Sequence, residues 1–345
     1  MAGTRGYHSY RGRGSKGKAV LAVVLVLVIL VSVGFMMLQK YIVYDETGTP
    51  HLMLPEKEAE ETAAPTQEEE DLNLTIQPSA KKLETRAFTV TEAPLTLEGW
   101  VNTRTAAGDA VNAAVLTMKN GGKVFFDTQT AVAGSRASGA ETAAALTELL
   151  QGGTAVEYAI ARFSCFHDST AAQADVEGMG LKNTGGYIFY DGNNSQWLDP
   201  GKSGARQYLC TLAAELAALG FDEILLTDVS YPTVGKLDKI DYGDAMKARN
   251  LQTFLEEMKA ALEPYEVRLS IELPEGVITD GNDSVAGLML ADIAPLVDRI
   301  YAVTTAEQAE SLRGEIAALS ERTEFVPEFP AGSAVPEGSW LRLAG

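Results

Sequence analysis

The segment Gly220-Phe221-Asp222-Glu223-Ile224-Leu225-Leu226-Thr227-Asp228-Val229-Ser230-Tyr231-Pro232 constrains the fold more than any other part of the chain. Upstream of it, Leu209, Leu212, Ala213, Leu216 and Leu219 recur at the spacing of one helix face, from about Ala205 to a stop at Gly220. An apolar strand over 223–228 follows at once and ends in polar residues closed by Pro232. A helix feeding a buried parallel strand is the repeating unit of α/β folds, and the carboxyl ends of such strands are where those folds keep their sites.

The alternation continues along the chain. Strands are expected near 87–90, 111–118, 155–163, 223–228, 266–272, 298–303, 324–329 and 340–343, with a hairpin return at Lys123–Phe126 and a short strand at Tyr187–Tyr190. Helices are expected from a capping box at Ser138–Glu141 to Leu150, over 205–219, up to Leu262 before Pro264, around 284–294, and after a second box at Thr305–Gln308. Parallel strands joined by right-handed crossovers follow from this order. About eight strands predict a (β/α)8 TIM-like barrel, irregular or incomplete because its first and last units are short. An open doubly wound sheet is the competing arrangement. Against it, no strand is followed by a Gly-rich phosphate loop of either common type, and no cofactor is expected.

The amino-terminal part does not belong to that pattern. Residues 1–18 carry Arg5, Arg11, Arg13, Lys16 and Lys18 with no acidic residue, and Ala19 to Leu38 is apolar but for Ser32 and Gly34. A run of this length spans the roughly 30 Å hydrocarbon core of a bilayer. Its basic flank predicts a single-pass anchor at the cell membrane, with the amino terminus cytoplasmic and the rest extracytoplasmic. A cleaved signal peptide is the alternative; the run is long for one, and Met36-Met37-Leu38-Gln39-Lys40 offers no small-residue cleavage pattern. The expected organisation is a basic tail at 1–18, an anchor at 19–40, an acidic disordered linker at 41–86 and a barrel at 87–345. The linker holds Glu56, Glu58, Glu60, Glu61, Glu68, Glu69, Glu70 and Asp71, which contribute much of the formal net charge of −19. That acidity argues against nucleic acid as a partner. Cys165 and Cys210 fall at a strand end and inside a helix; an exported domain could pair them, and buried free thiols are the state expected.

Reading the strand ends gives Lys119, Asn120, Arg162, His167, Asp168, Thr227, Asp228, Glu272, Thr304 and Glu328. Strand alternation places Lys119 on the same face as Thr117, Arg162 with Ile160, and Glu272 with Ser270. With His8, His51 and His167 alone, neither a His-rich metal site nor a His-dependent triad has material, and no metal is expected.

The segments Ile160-Ala161-Arg162-Phe163, Trp197-Leu198-Asp199-Pro200 and Gly220 to Pro232 resemble a bacterial family of glycosyl-hydrolase TIM barrels placed near the α-amylase-like glycosidases. The resemblance runs from about residue 86 to 330 and implies a carbohydrate-active barrel. The chain departs from that family in two places. Where the family reads Asp-x-Lys-Asp it has Thr117-Met118-Lys119-Asn120, and where the family reads Gln-Phe-Asp-Tyr it has Leu225-Leu226-Thr227-Asp228. Asp228 replaces the missing carboxylate only if the strand has ended there, because a one-residue displacement turns a side chain to the other face. Glu272 stands where the family carries an acidic residue.

Glycoside hydrolysis needs two carboxyls across the scissile bond, and Glu272 is expected as general acid/base with Asp228 as nucleophile or second carboxylate. In that scheme Lys119, Arg162 and Asp168 are expected as ligands of sugar hydroxyls, and Tyr187, Trp197 and Tyr231 as stacking platforms. Each also has a structural reading: ion pairs for Lys119 and Arg162, turn or cap residues for Asp168 and Asp228, packing for Trp197. Two functions therefore stand open. One is a membrane-anchored extracytoplasmic glycosidase acting on a cell-envelope or external polysaccharide. The other is a degenerate barrel that binds glycan or a protein partner at the cell surface, which the neutral Thr117, Asn120 and Thr227 favour.

Overall fold

The computed structural model describes residues 42–44, 50–52, 84–108, 110–130, 132, 134–244 and 246–344. The basic tail, the apolar run 19–38 and most of the acidic stretch lie outside the described residues. Among the described residues no helix is long and apolar enough to cross a membrane. The chain divides into two compact units, Met1–Ile76 and Gln77–Gly345. In the first, Ile42–Tyr44 pairs antiparallel with Pro50–Leu52.

The second unit is a closed barrel. Among the described residues its strands are β1 (Arg86–Val90), β2 (Ala113–Asn120), β3 (Tyr158–Ser164), β4 (Glu223–Thr227), β5 (Arg268–Glu272), β6 (Arg299–Val303), β7 (Glu324–Phe329) and β8 (Trp340–Arg342). Each pairs in parallel with its two neighbours, and β8 closes on β1 through Leu341↔Ala87. Lys123–Val124 returns antiparallel onto the end of β2. The principal helices are α1 (Leu97–Ala107), α2 (Ala140–Gln151), α3 (Ser203–Leu219), α4 (Lys247–Leu262) and α5 (Ala309–Leu319). Shorter helical turns, Glu275–Asp280 and Leu290–Ile293, follow β5. The eight-strand barrel is thus formed, with its irregularity in the helical layer.

Local sequence explains the element ends. Thr96 caps α1 by accepting from Gly99 N at 3.0 Å. Gly220, at φ 105°, ends α3 with its N–H on Ala217 O, a conformation that costs a glycine nothing. The expected box at Ser138 does not form: α2 opens one residue later, after Gly139, with no side-chain cap.

Two expected elements form only in part. The 284–294 stretch is a hairpin, Asn282–Asp283 against Leu288–Met289, before a short helix begins at Leu290. Asp283 Oδ1 accepts from Val285 N and Ala286 N, and Gly287 at φ 83° packs where a Cβ would lie 2.8 Å from Lys247 Cβ. This side-chain turn competes with the helix that the apolar spacing suggests. At Tyr187–Tyr190 only a bridge between Ile188 and Lys182 forms.

Strand alternation and the inclined registers divide the barrel interior into layers drawn from alternate strands. At the amino-terminal end, Glu223 and Arg299 are fully buried and paired at 2.9 Å, and Tyr158 and Tyr301 donate to the same carboxylate at 2.9 and 2.8 Å. Arg299 Nε also reaches Glu324, whose other oxygen accepts from Ser339 Oγ. Each group just named meets a partner, which is the condition for burying charge inside a barrel, while Nη1 of the neighbouring Arg268, over the Tyr158 ring, has none. Ile160, Leu225, Val326 and Leu341 form the apolar middle.

Candidate active site

At the carboxyl end, the registers place Thr89 of β1, Arg162 of β3, Glu272 of β5 and Glu328 of β7 in one layer. Thr117, Thr227, Val303 and Leu343 form the layer above, on the intervening strands. Arg162 and Glu272 form an ion pair, each side chain about one quarter exposed. Burial raises the Glu272 carboxyl above its usual range; Arg162 opposes that rise and the nearby Asp228 adds to it. Glu328 is fully buried, and neither carboxylate oxygen has a hydrogen-bond partner. Burial pushes it up to about 8, with Glu272 adding to the rise and Arg162 opposing it.

Asp228 meets the condition that the displaced motif set for it. β4 ends at Thr227, and Asp228 takes φ 54°, a left-handed conformation that reverses the strand's alternation. Its Oδ2 accepts from Ser164 Oγ at 2.6 Å and from Thr227 Oγ1 at 3.3 Å. Ser164 shares the inward face of β3 with Arg162. Asp228 and Glu272 thus line one cleft of about 500 Å³, together with Trp197, Ser230, Thr233 and Asp283. The hairpin at 282–289, read from sequence as helix, supplies part of this wall.

Trp197 is held at the rim. Its Nε1 donates to Asp191 Oδ2 at 3.0 Å, and its ring lies 4.7 Å from that of His167. The following Asp199 accepts from Gly201 N and fixes the turn into α3, so the Trp-Leu-Asp-Pro segment positions the rim by its loop geometry.

Other expected site residues lie elsewhere. A bulge in β2 between Thr117 and Lys119 shifts the register, so that Lys119 pairs with Phe163, an outward residue of β3. The alternation that linked Lys119 to Thr117 is broken there. Lys119 instead forms a fully buried ion pair with Asp168 at 2.9 Å and donates to Gly121 O and Ser164 O. Asp168 also caps the short helix Ser169–Ala174 through Ala171 N. Tyr231 has no exposed surface; its hydroxyl accepts from Asn250 Nδ2 at 2.8 Å. Tyr187 is 76% exposed on a turn closed by Asn183, and does not line the cleft. Cys165 and Cys210 are buried free thiols, both raised chiefly by burial.

Glu328 is the site residue that motif reading left unassigned. Its signal was present in Glu324-Phe325-Val326-Pro327-Glu328, where two carboxylates share the inward face of a buried strand with Val326. Among the described residues no cluster of His, Cys, Asp and Glu is arranged to hold a metal ion.

A solved structure shares this architecture. The glycoside hydrolase domain of PgaB (BpsB) from Bordetella bronchiseptica is 13% identical, with a TM-score of 0.51, and the match covers 76% of this chain and 94% of that one. A hypothetical protein from Ruminiclostridium thermocellum is 22% identical, with a TM-score of 0.44, over 54% of this chain and 96% of that one. At 13% identity the likeness to the PgaB (BpsB) domain speaks to the fold alone. No curated protein matches the chain. The profile described as "Putative glycosyl hydrolase domain" matches residues 94–304, more than half of the chain, and the chain belongs to that family.

Proposed function

We propose that this chain is a glycoside hydrolase of the cell surface, anchored by residues 19–38 and acting on a cell-envelope or external polysaccharide. Glu272 is its general acid/base and Asp228 its second carboxylate. The observation that carries this reading is that Glu272 and Asp228 line one cleft at the carboxyl face of the barrel. Glycoside hydrolysis needs one carboxyl to protonate the leaving oxygen and a second to attack or to activate water. A raised carboxyl suits the first role, because it keeps its proton nearer to neutral pH. Ser164 and Thr227 hold the Asp228 carboxylate in place for the second. Arg162 meets the charge that Glu272 acquires once it has given up its proton. Trp197 at the rim offers an apolar face to a sugar ring.

The anchor follows from the basic flank and the apolar run of the sequence. No cofactor or metal enters the scheme. A second reading is favoured by the layer above the ion pair: Thr117, Thr227, Val303 and Leu343 carry no carboxylate. A barrel mouth so depleted would bind glycan or a protein partner without turnover.

The test is oligosaccharide release from peptidoglycan, α-glucans and β-glucans, read by mass spectrometry for the full chain and for Glu272→Gln. Release that disappears in the variant supports the hydrolase. Binding of one of these glycans with no release by the unaltered chain supports the second reading.

A further inference from the structure

Glu328 is unlike the other buried charged groups of the barrel. Lys119 has Asp168, and Glu223 has Arg299 and two tyrosine hydroxyls. Glu328 is as deeply buried as these, yet both of its carboxylate oxygens lack a partner. Two further buried hydroxyls of the barrel are also orphaned: Ser270 Oγ, inward on β5 below Glu272, and Thr304 Oγ1, whose own backbone N–H donates to Glu328 O. An unpaired buried carboxylate is so costly that the group neutralises by holding its proton.

The barrel geometry says what that proton faces. Glu272 and Glu328 occupy the same layer on β5 and β7, with β6 between them, and Arg162 completes the approach from β3. β1 contributes Thr89 to that layer. β6 contributes Val303 above that layer and Tyr301 beneath it, the tyrosine hydroxyl being held by Glu223; β8 contributes Leu341 beneath it, which does not titrate. Arg342 of β8 stacks on Trp340 at 5.1 Å and follows the inward Leu341, so it faces outward. Asp228, beyond β4, acts on Glu272.

We propose that Glu328 is a positioning residue for Glu272: the two carboxyl groups hold one proton between them, which rests on Glu328 while Arg162 balances the charge on Glu272. The layer is then electrically neutral. To make Glu272 an acid, the O–H bond of Glu328 breaks and an O–H bond forms on Glu272, leaving the pair at one negative charge. When Glu272 gives this proton to a leaving oxygen, the pair carries two negative charges beside one arginine. It recovers a single negative charge by taking a proton from the attacking water. Glu328 never touches substrate in this scheme. Burial and its like charge act in the same direction, toward retaining the shared proton.

The catalytic use of the pair rests on the reading of Glu272 as acid/base, whereas the shared proton is measurable without any substrate. An infrared pH titration of the full chain in heavy water reads protonated carboxyl groups directly by their C=O band. The unaltered chain should keep a protonated-carboxyl band at neutral pH that is lost as pH rises through about 8. Glu328→Gln should abolish that band, with circular dichroism confirming that the barrel is folded. Glu272→Gln should retain it but shift its loss to lower pH, since the neighbouring charge is gone. A neutral-pH chain with no such band, or a Glu328→Gln chain that keeps it, would overturn the proposal. So would a Glu272→Gln titration that does not move. A shared proton in a chain that releases no sugar from any glycan would leave this inference standing and count against the hydrolase reading.

Discussion

Ser164 donates a 2.6 Å hydrogen bond to Asp228 Oδ2, tying the inward face of β3 to a residue that has already left the β4 strand at φ 54°. That bond and that backbone conformation are what bring Asp228 to the same cleft as Glu272. Asparagine tolerates the left-handed region and keeps the shape of the side chain. Asp228→Asn should therefore unfold within about 1 kcal/mol of the parent, while glycan release falls by roughly 100-fold or more. Ser164→Ala should cost activity roughly tenfold, the value of one well-placed bond. Parallel thermal melts and release assays check both, and equal activity in Asp228→Asn would remove Asp228 from the mechanism.

Arg162 holds the Glu272 carboxyl down against the rise caused by burial. Without the arginine the carboxyl rises further and keeps its proton to higher pH. In Arg162→Met, the limb of the pH–rate profile governed by Glu272 protonation should move to higher pH. A shift in the opposite direction would show that the pair does not set that limb.

Glu328 makes stability depend on pH in an unusual direction. Its carboxyl lies at about 8 in the fold, against an ordinary value of 4.5. Between those values the folded state binds more protons than the unfolded chain, so the contribution of Glu328 to stability is complete below the lower value and declines as pH rises toward the upper one. Glu328→Gln lacks this dependence. Relative to the parent, the variant should gain on the order of 2–4 kcal/mol between pH 5 and pH 8. Urea unfolding of both proteins at the two pH values measures the difference directly; a constant gap would contradict a raised carboxyl.

Tyr231 and Trp197 should separate cleanly. Tyr231→Phe removes a buried bond with Asn250 and should cost about 1 kcal/mol of stability with little change in KM. Trp197→Ala, at the rim of the cleft, should raise KM instead. A rise in KM for Tyr231→Phe would place that ring in the substrate's path.

At the closed end of the barrel, Arg299→Met strands Glu223 without its cation. Breaking a buried pair in this way costs about 3–5 kcal/mol. The loss should appear in unfolding and leave the pH profile of any turnover unmoved, because the pair lies at the opposite end from Glu272.

The strands were legible because each carries an apolar run with a polar end, and the strand containing Glu272 was read to within two residues at its start and to the residue at its end. Asp228 could be named but not placed: its inward turn depends on a left-handed backbone that an Asp permits without announcing. Lys119 leaves the face that strand alternation assigns it because one bulged residue resets the alternation, and nothing in Thr117-Met118-Lys119-Asn120 marks the bulge. The 282–289 wall was read as helix because its apolar residues fall at helical spacing, whereas Asp283 binds the backbone ahead of it and Gly287 turns it. Glu328 was visible as a strand end. Its isolation became apparent only when seven other strands closed around it and supplied no partner among the described residues.

The central claim is that the Glu272 carboxyl drives glycosidic cleavage at this barrel mouth. The most direct measurement is oligosaccharide release from peptidoglycan, α-glucans and β-glucans by the full chain, read by mass spectrometry beside a folded Glu272→Gln variant. Release by the parent and a loss of at least about 100-fold in the variant are expected. Equal release by the two proteins would contradict that claim.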